Sequence, residues 1–232
     1  HSNADEVVDR LFLERLEHWY AFGSPRAATT FGLAFEWYLE RTPTPSELPP
    51  SGWADLMEWV SNISGTPWSA PWDVRDRVLK DTLVGPSTVV HGDLHSQNVV
   101  VDERTGECWP IDFGWCHDGG SPLVDYVMLE VSLKFLALPM RADLRTLIRI
   151  EQMLLEQPLP AVRVGRAPYG EEIENVLRAV SAVRGQAMAQ SAYSFDDYKR
   201  GLFLMTLAHA GHHGLNRPMV LASLQMLVGQ LS

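Results

Sequence analysis

The chain has 232 residues, 46% of them hydrophobic, 21% charged and 9% aromatic, with a formal net charge of −10. A chain of this length makes about one large domain or two small ones and can bury roughly 70–75% of its unfolded surface, and its composition excludes intrinsic disorder, a collagen repeat and a coiled coil. No apolar run reaches the ~18 residues of a membrane span and no stretch concentrates basic residues, so neither a membrane nor nucleic acid is an expected partner, whereas the acidity suits a cationic ligand.

Residues 1–4 are polar and small, with no apolar stretch behind a charged start, and read as an expression-tag remnant ahead of a single unit over 5–232. Val7, Val8, Leu11, Phe12, Leu16, Trp19 and Tyr20 then recur at helical spacing, predicting a first helix over 6–22 that ends at Gly23, Ser24 and Pro25. A second helix is expected over 27–40, carrying Phe31, Leu33, Phe35, Trp37, Tyr38 and Leu39, before four prolines within 41–50 impose a loop. Shorter helices are expected over 51–63 and 72–83. Tryptophans 19, 37, 53, 59, 68 and 72 fall in this helical part and read as core, with an aromatic cage for a cation as the lesser reading.

The period then changes. Thr88-Val89-Val90, Asn98-Val99-Val100-Val101 and Glu107-Cys108-Trp109-Pro110-Ile111 are short β-branched or aromatic runs, and the last two are joined by a turn of hairpin length ending in Gly106. Helical patterns return over 123–138, 142–156, 171–191, 196–209 and 218–231. The layout is a mainly α (α+β) chain with 5–87 helical, a loop and β-hairpin over 88–114, and a helical remainder over 115–232.

The hairpin region concentrates the chemistry. His91-Gly92-Asp93-Leu94-His95-Ser96-Gln97-Asn98 lies between two strands, and Ile111-Asp112-Phe113-Gly114 closes the hairpin. Phosphoryl transfer needs a carboxylate to orient and deprotonate the accepting hydroxyl, and hard oxygen ligands to hold Mg²⁺ against nucleotide phosphates. Asp93 suits the first task, and Asn98 and Asp112 suit the second. One loop can aim Asp93 and Asn98 together, and the hairpin returns Asp112 to the same end of the strands.

Taken together, His91-Gly92-Asp93-Leu94-His95 with Asn98, and Asp112-Phe113-Gly114 fourteen residues later, resemble the catalytic loop and metal-binding motif of the aminoglycoside phosphotransferase and choline kinase branch of the protein-kinase-like fold. That branch carries His-Gly-Asp where protein kinases carry His-Arg-Asp. The resemblance implies the helical C-terminal lobe of that fold with a short catalytic β-hairpin. It further implies Asp93 as catalytic base, His91 as support of the loop, Asn98 and Asp112 as Mg²⁺ ligands, and His95 beside the nucleotide phosphates. Asp125 is implied to brace the loop through backbone N–H bonds. ATP and Mg²⁺ are the implied cofactors and a small-molecule hydroxyl the implied acceptor. Asp125-Tyr126-Val127-Met128-Leu129-Glu130 also resembles the kinase-like domains of bacterial signalling or conflict proteins known as ternary complex associated domains.

The resemblance is incomplete. No Gly-x-Gly occurs before Gly92, and none of Lys80, Lys134 and Lys199 lies on a strand a lobe's length ahead of the loop. The N-terminal nucleotide lobe is therefore expected to be absent, either left behind in a longer parent chain or lost, and the isolated lobe to have little activity. The competing reading is a catalytically inactive kinase-like binding module within a larger bacterial protein.

Three other constellations compete for attention. His209 and His213 could share a helix face with His212 nearby and bind zinc, but no Glu follows His209 as the metalloprotease signature requires, and Gly211 and Gly214 point to a helix end. Cys108 and Cys116 are too few for a disulfide scaffold and read as buried thiols of a reducing cytoplasm. His117 and Asp118, just after the Gly114 turn, could line the substrate cleft, with simple exposure the favoured reading, and Glu171, Glu172, Asp196 and Asp197 are expected to favour helix N-termini.

Overall fold

Residues 4–20 form one helical rod made of α1 (Ala4–Arg10), a π-helical turn (Leu11–Leu16) and α2 (Glu17–Tyr20). Its buried residues Val8, Leu11, Phe12 and Leu16 are those whose spacing marks an apolar stripe. The computed structural model describes residues 3–40, 42–44, 46–48, 53–138, 143–156, 170–191, 193–212 and 214–232. Parts of the expected proline-rich loop, the start of the helix expected from 142, and His213 lie outside them.

The next segment departs from expectation. Residues 27–30 are not helical but end β1 (Gly23–Thr30), which pairs antiparallel with β2 (Thr82–Val90). The helix expected over 27–40 shrinks to two short pieces, α3 (Phe31–Ala34) and α4 (Glu36–Leu39), the first capped by Thr30, whose Oγ1 accepts from the Leu33 N–H at 3.2 Å. The apolar period of 31–39 is truly helical, whereas Ala27-Ala28-Thr29-Thr30 takes the state that its pairing partner dictates. α5 (Ala54–Ser64) and α6 (Trp72–Val78) follow, and α6 stops short of residue 83 because the chain enters β2 at Thr82. Between Ser24↔Ser87 and Ala27↔Gly85 the register breaks, and Pro25 and Pro86 both sit in that break, where no ladder N–H is required of them.

β2 is central in a three-stranded antiparallel sheet of order β1-β2-β5, its second neighbour being β5 (His117–Gly120), a strand that the sequence pattern does not signal. β3 (Val99–Val101) and β4 (Cys108–Pro110) make the expected hairpin, with Val100 opposite Trp109. Its turn is closed by Gly106 N–H to Asp102 O at 2.7 Å, with Gly106 at φ 70.

The C-terminal half is helical: α7 (Leu123–Ser132) prolonged by a π-helical turn (Leu133–Ala137), α8 (Leu144–Glu156), α9 (Glu171–Ser191), α10 (Phe195–His209) and α11 (Arg217–Leu231). All ten residues of α7 are buried, and it packs between α9 and α10, with α11 against α8 and α10 and α1 against α9. The acidic starts behave as the dipole rule anticipates, and Ser194 with Asp197 forms a full capping box on α10. Trp19, Trp53, Trp59, Trp68 and Trp72 lie half-buried against the core, while Trp37 stays 46% exposed. The architecture is mainly α with small antiparallel sheets. Among the described residues no helix is long and apolar enough to cross a membrane.

Candidate functional site

Strand β2 is buried at its end, at Val90, and delivers His91 and Gly92 directly onto the N-terminal turn of α7. There the Asp125 carboxylate accepts the His91 N–H at 2.8 Å, the Gly92 N–H at 2.9 Å and the Tyr20 hydroxyl at 3.0 Å. Three donors on one fully buried carboxylate hold the strand end, the helix start and the first helical rod together. Burial pushes the Asp125 carboxyl above its ordinary range and outweighs the N–H bonds from His91 and Gly92, which pull it down. Burial also raises the Tyr20 phenol well above its usual value, with the Asp125 charge adding to the effect.

Gly92 has φ 78, and a Cβ there would meet the Trp115 carbonyl oxygen at 2.5 Å, so both conformation and space demand glycine. Its carbonyl accepts the Tyr38 hydroxyl. The buried His91 ring accepts the Asp93 N–H on Nδ1 at 3.3 Å, which leaves Nε2 as the protonated nitrogen donating to Ile111 O at 2.8 Å. His91 thereby ties the loop to the residue before Asp112, and its ring lies 5.3 Å from Phe113, which packs 5.3 Å from Trp19.

Asn98 makes a second tie. Its Nδ2 donates to Asp93 O at 2.9 Å and its carbonyl accepts the Ile111 N–H at 2.9 Å, while its Oδ1 accepts no hydrogen bond among the described residues. Asp93 is 22% exposed at its side chain, with Oδ2 3.8 Å from His95 Nε2, and His95 Nδ1 is buried without a partner among the described residues. Asp112 is the only non-glycine residue with positive φ among those described (φ 60, ψ 71), and its carboxylate is exposed. A non-glycine residue in this conformation carries about 1–2 kcal/mol of strain, which collects at sites where geometry has to be imposed.

Asp93, His95, Asn98 and Asp112 thus come from one loop and one turn, cross-linked through Ile111 and braced by Asp125. The oxygen set suits Mg²⁺, which takes one or two protein carboxylates and keeps its remaining positions for water and phosphate. No group of three or more His, Cys, Asp or Glu among the described residues is placed to hold a metal by itself. Tyr20, Tyr38 and Trp115 also shape the loop, although no sequence motif marks them; the two tyrosines read as ordinary members of apolar helix faces.

The rival constellations resolve differently. The His209 and His212 rings stack at 5.5 Å and His209 Nδ1 meets Met205 O at 2.8 Å at the end of α10, an arrangement of helix termination. Cys108 is buried, as expected, but Cys116 is exposed, because it leaves the hairpin in the turn ahead of β5. Burial raises the Cys108 thiol. Of the three lysines, Lys134 is buried between Glu130 and Glu151, Lys199 pairs with Asp196 and Lys80 is exposed after α6, so none joins the loop.

A family model described as ternary complex associated domain 9 matches residues 38–216. The matched span contains Tyr38, the 91–98 loop, Asp112 and Asp125, and leaves Tyr20 outside. No curated protein and no solved structure matches the chain.

Proposed function

The chain belongs to the ternary complex associated domain 9 family, and from that premise we propose that it is the catalytic-loop lobe of a kinase-like phosphotransferase, acting with ATP and Mg²⁺ on a hydroxyl of a small molecule in the cytoplasm. The observation that carries this reading is the double tie through Ile111, from His91 Nε2 and from Asn98 O, which places the Asp93 loop and the Asp112 turn in one rigid unit. Asp93 would orient the acceptor hydroxyl and take its proton at the carboxylate. Asn98, whose amide nitrogen is committed to Asp93 O, offers Oδ1, and Asp112 offers an exposed carboxylate; these two would hold Mg²⁺. When bound, the metal would neutralise charge on the nucleotide phosphates. His95, whose Nε2 lies 3.8 Å from Asp93 Oδ2 on a partly exposed side chain, would stand beside the phosphates.

Catalysis of this kind rests on positioning and charge more than on covalent chemistry, so the brace from Asp125 is part of the device. With no glycine-rich loop and no free lysine beside the site, adenine and most phosphate contacts would come from a second lobe in a parent chain. The same shortage favours the second reading, a kinase-like binding module without turnover. Calorimetry with ATP and Mg²⁺, followed by ATP turnover with Asp93→Asn and Asp112→Asn, separates the two. Metal-dependent nucleotide binding that Asp112→Asn abolishes supports the phosphotransferase, and binding by neither this chain nor its natural full-length parent supports the module.

A further inference from the structure

The 91–98 loop rests on α7 at two points. At the first turn of the helix lies the Asp125 brace on the His91 and Gly92 amides. At the far end Ser132, the last residue of α7, accepts the Ser96 N–H on Oγ at 2.8 Å. Asp125 and Ser132 are seven residues apart in the chain, two turns and about 10.5 Å of helix, so they share one side of α7 and bracket Asp93 and the buried Leu94.

The Ser132 hydroxyl is set to accept. Its residue is buried, and its single proton goes to Leu129 O at 2.8 Å, so a lone pair is what it turns to Ser96. The helix around it is held in register: Glu130 is bound by Arg184 of α9, and Lys134, in the π-helical turn that follows, by Glu151 of α8. Ser96 in turn opens the 3₁₀ turn Ser96–Asn98, closed by Asn98 N–H to His95 O at 2.9 Å. From that turn Asn98 Nδ2 reaches back to Asp93 O, which also accepts the His95 N–H at 2.9 Å. Asp125 thus fixes where the loop begins, and Ser132 fixes where its His95 and Asn98 end lies against α7.

We infer that Ser132 is a positioning residue: through the Ser96 amide it sets how His95 and Asn98 stand relative to Asp93, and so where Asn98 Oδ1 is presented. The use of that oxygen as a metal ligand rests on the phosphotransferase reading, whereas the placement of the turn by Ser132 does not.

The test compares Ser132→Thr, which keeps the acceptor, with Ser132→Val, which has the shape of threonine without it. Ser132→Ala against the wild type decides the matter if the added methyl group unfolds both. NMR of the chain without nucleotide reads amide exchange at Ser96 and the side-chain amide signal of Asn98, which a loss confined to the packing of α7 would not move. Ser132→Val and Ser132→Ala should exchange the Ser96 amide roughly tenfold faster and shift the Asn98 signal. The His91 and Gly92 amides should change no more than the loss of overall stability accounts for, and Ser132→Thr should restore both readings. Unchanged Ser96 exchange in Ser132→Ala, an Asn98 signal that stays in place, or folded Thr and Val variants that behave alike each overturns the inference. Calorimetry with ATP and Mg²⁺ is a separate readout: where the wild type binds, Ser132→Ala should bind roughly tenfold more weakly, and unchanged affinity would remove the part of Ser132 in presenting the metal ligand. A wild type that binds no nucleotide counts against the phosphotransferase reading and leaves the NMR result on Ser132 standing, while failure of the NMR prediction leaves that reading intact.

Discussion

Inside the helical half, Glu130, Lys134, Glu151 and Arg184 are each at most 1% exposed, two carboxylates and two cations with no net charge. Arg184 donates from Nε and Nη2 to Glu130 at 2.7 Å each and from Nη1 to Leu154 O; Glu130 also accepts the Tyr198 hydroxyl at 2.9 Å and has Lys134 Nζ at 3.4 Å. Glu130→Met would leave Arg184 with one carbonyl and the network with an unpaired positive charge, a loss of about 4 kcal/mol. Arg184→Met leaves Glu130 with Lys134 and Tyr198 and should cost about 3 kcal/mol. The double variant removes both charges, and Lys134 keeps Glu151 at 2.9 Å, so it should cost no more than the worse single, a coupling of about 3 kcal/mol. Urea unfolding followed by circular dichroism at neutral pH measures all four proteins. Single losses near 1 kcal/mol, or a double loss equal to the sum of the singles, would refute the coupled buried pair. The pH dependence gives an independent check. Burial alone would raise the Glu130 carboxyl, but the charges of Arg184 and Lys134 and the bonds from Arg184 and Tyr198 win and hold it below its ordinary range. Its contribution is therefore present above the ordinary glutamate range and lost as pH falls through the depressed value, so the wild type should lose stability in acid more steeply than the double variant.

Further outcomes follow from the loop. Asp125→Ala would strand the buried His91 and Gly92 amides and the Tyr20 hydroxyl, costing about 3 kcal/mol or more in urea unfolding and speeding hydrogen exchange at both amides; unchanged exchange would remove the proposed brace. Because the folded Asp125 pKa is raised, its share of stability is greatest in acid and declines as pH rises through the raised value, and Asp125→Asn should abolish that decline in unfolding measured across pH. Gly92→Ala forces a side chain into positive φ and against the Trp115 carbonyl, and a loss of about 2 kcal/mol or more is expected by thermal unfolding. Asp112→Gly should leave stability equal or up to about 1 kcal/mol higher by relieving backbone strain, while abolishing metal-dependent nucleotide binding by calorimetry; a destabilised variant would show that Asp112 is held for packing.

The sequence by itself determined the local features. Helices whose apolar residues keep a 3.6-residue period were legible from Val7 to Tyr20 and from Leu123 onward, because each needs only its own stripe and caps. The hairpin after Asn98 was legible for the same reason, since β-branched runs and a glycine-ended turn lie next to one another. Asp93, Asn98 and Asp112 could be proposed as one group because a loop and a hairpin leave little freedom in where they meet. Only the tertiary structure decided β1, the reach of β2 back to Thr82, and β5, since Ala27-Ala28-Thr29-Thr30 and His117-Asp118-Gly119-Gly120 become strands through partners 27 or more residues away in the chain. It also decided which charges are buried. Glu130 and Lys134, four apart, look in sequence like a solvent-exposed helical pair, and only the arrival of Glu151 and Arg184 from other helices makes the interior able to hold them. The same holds for Trp37, whose open face and neighbours Trp115 and His117 exist because three separated segments converge.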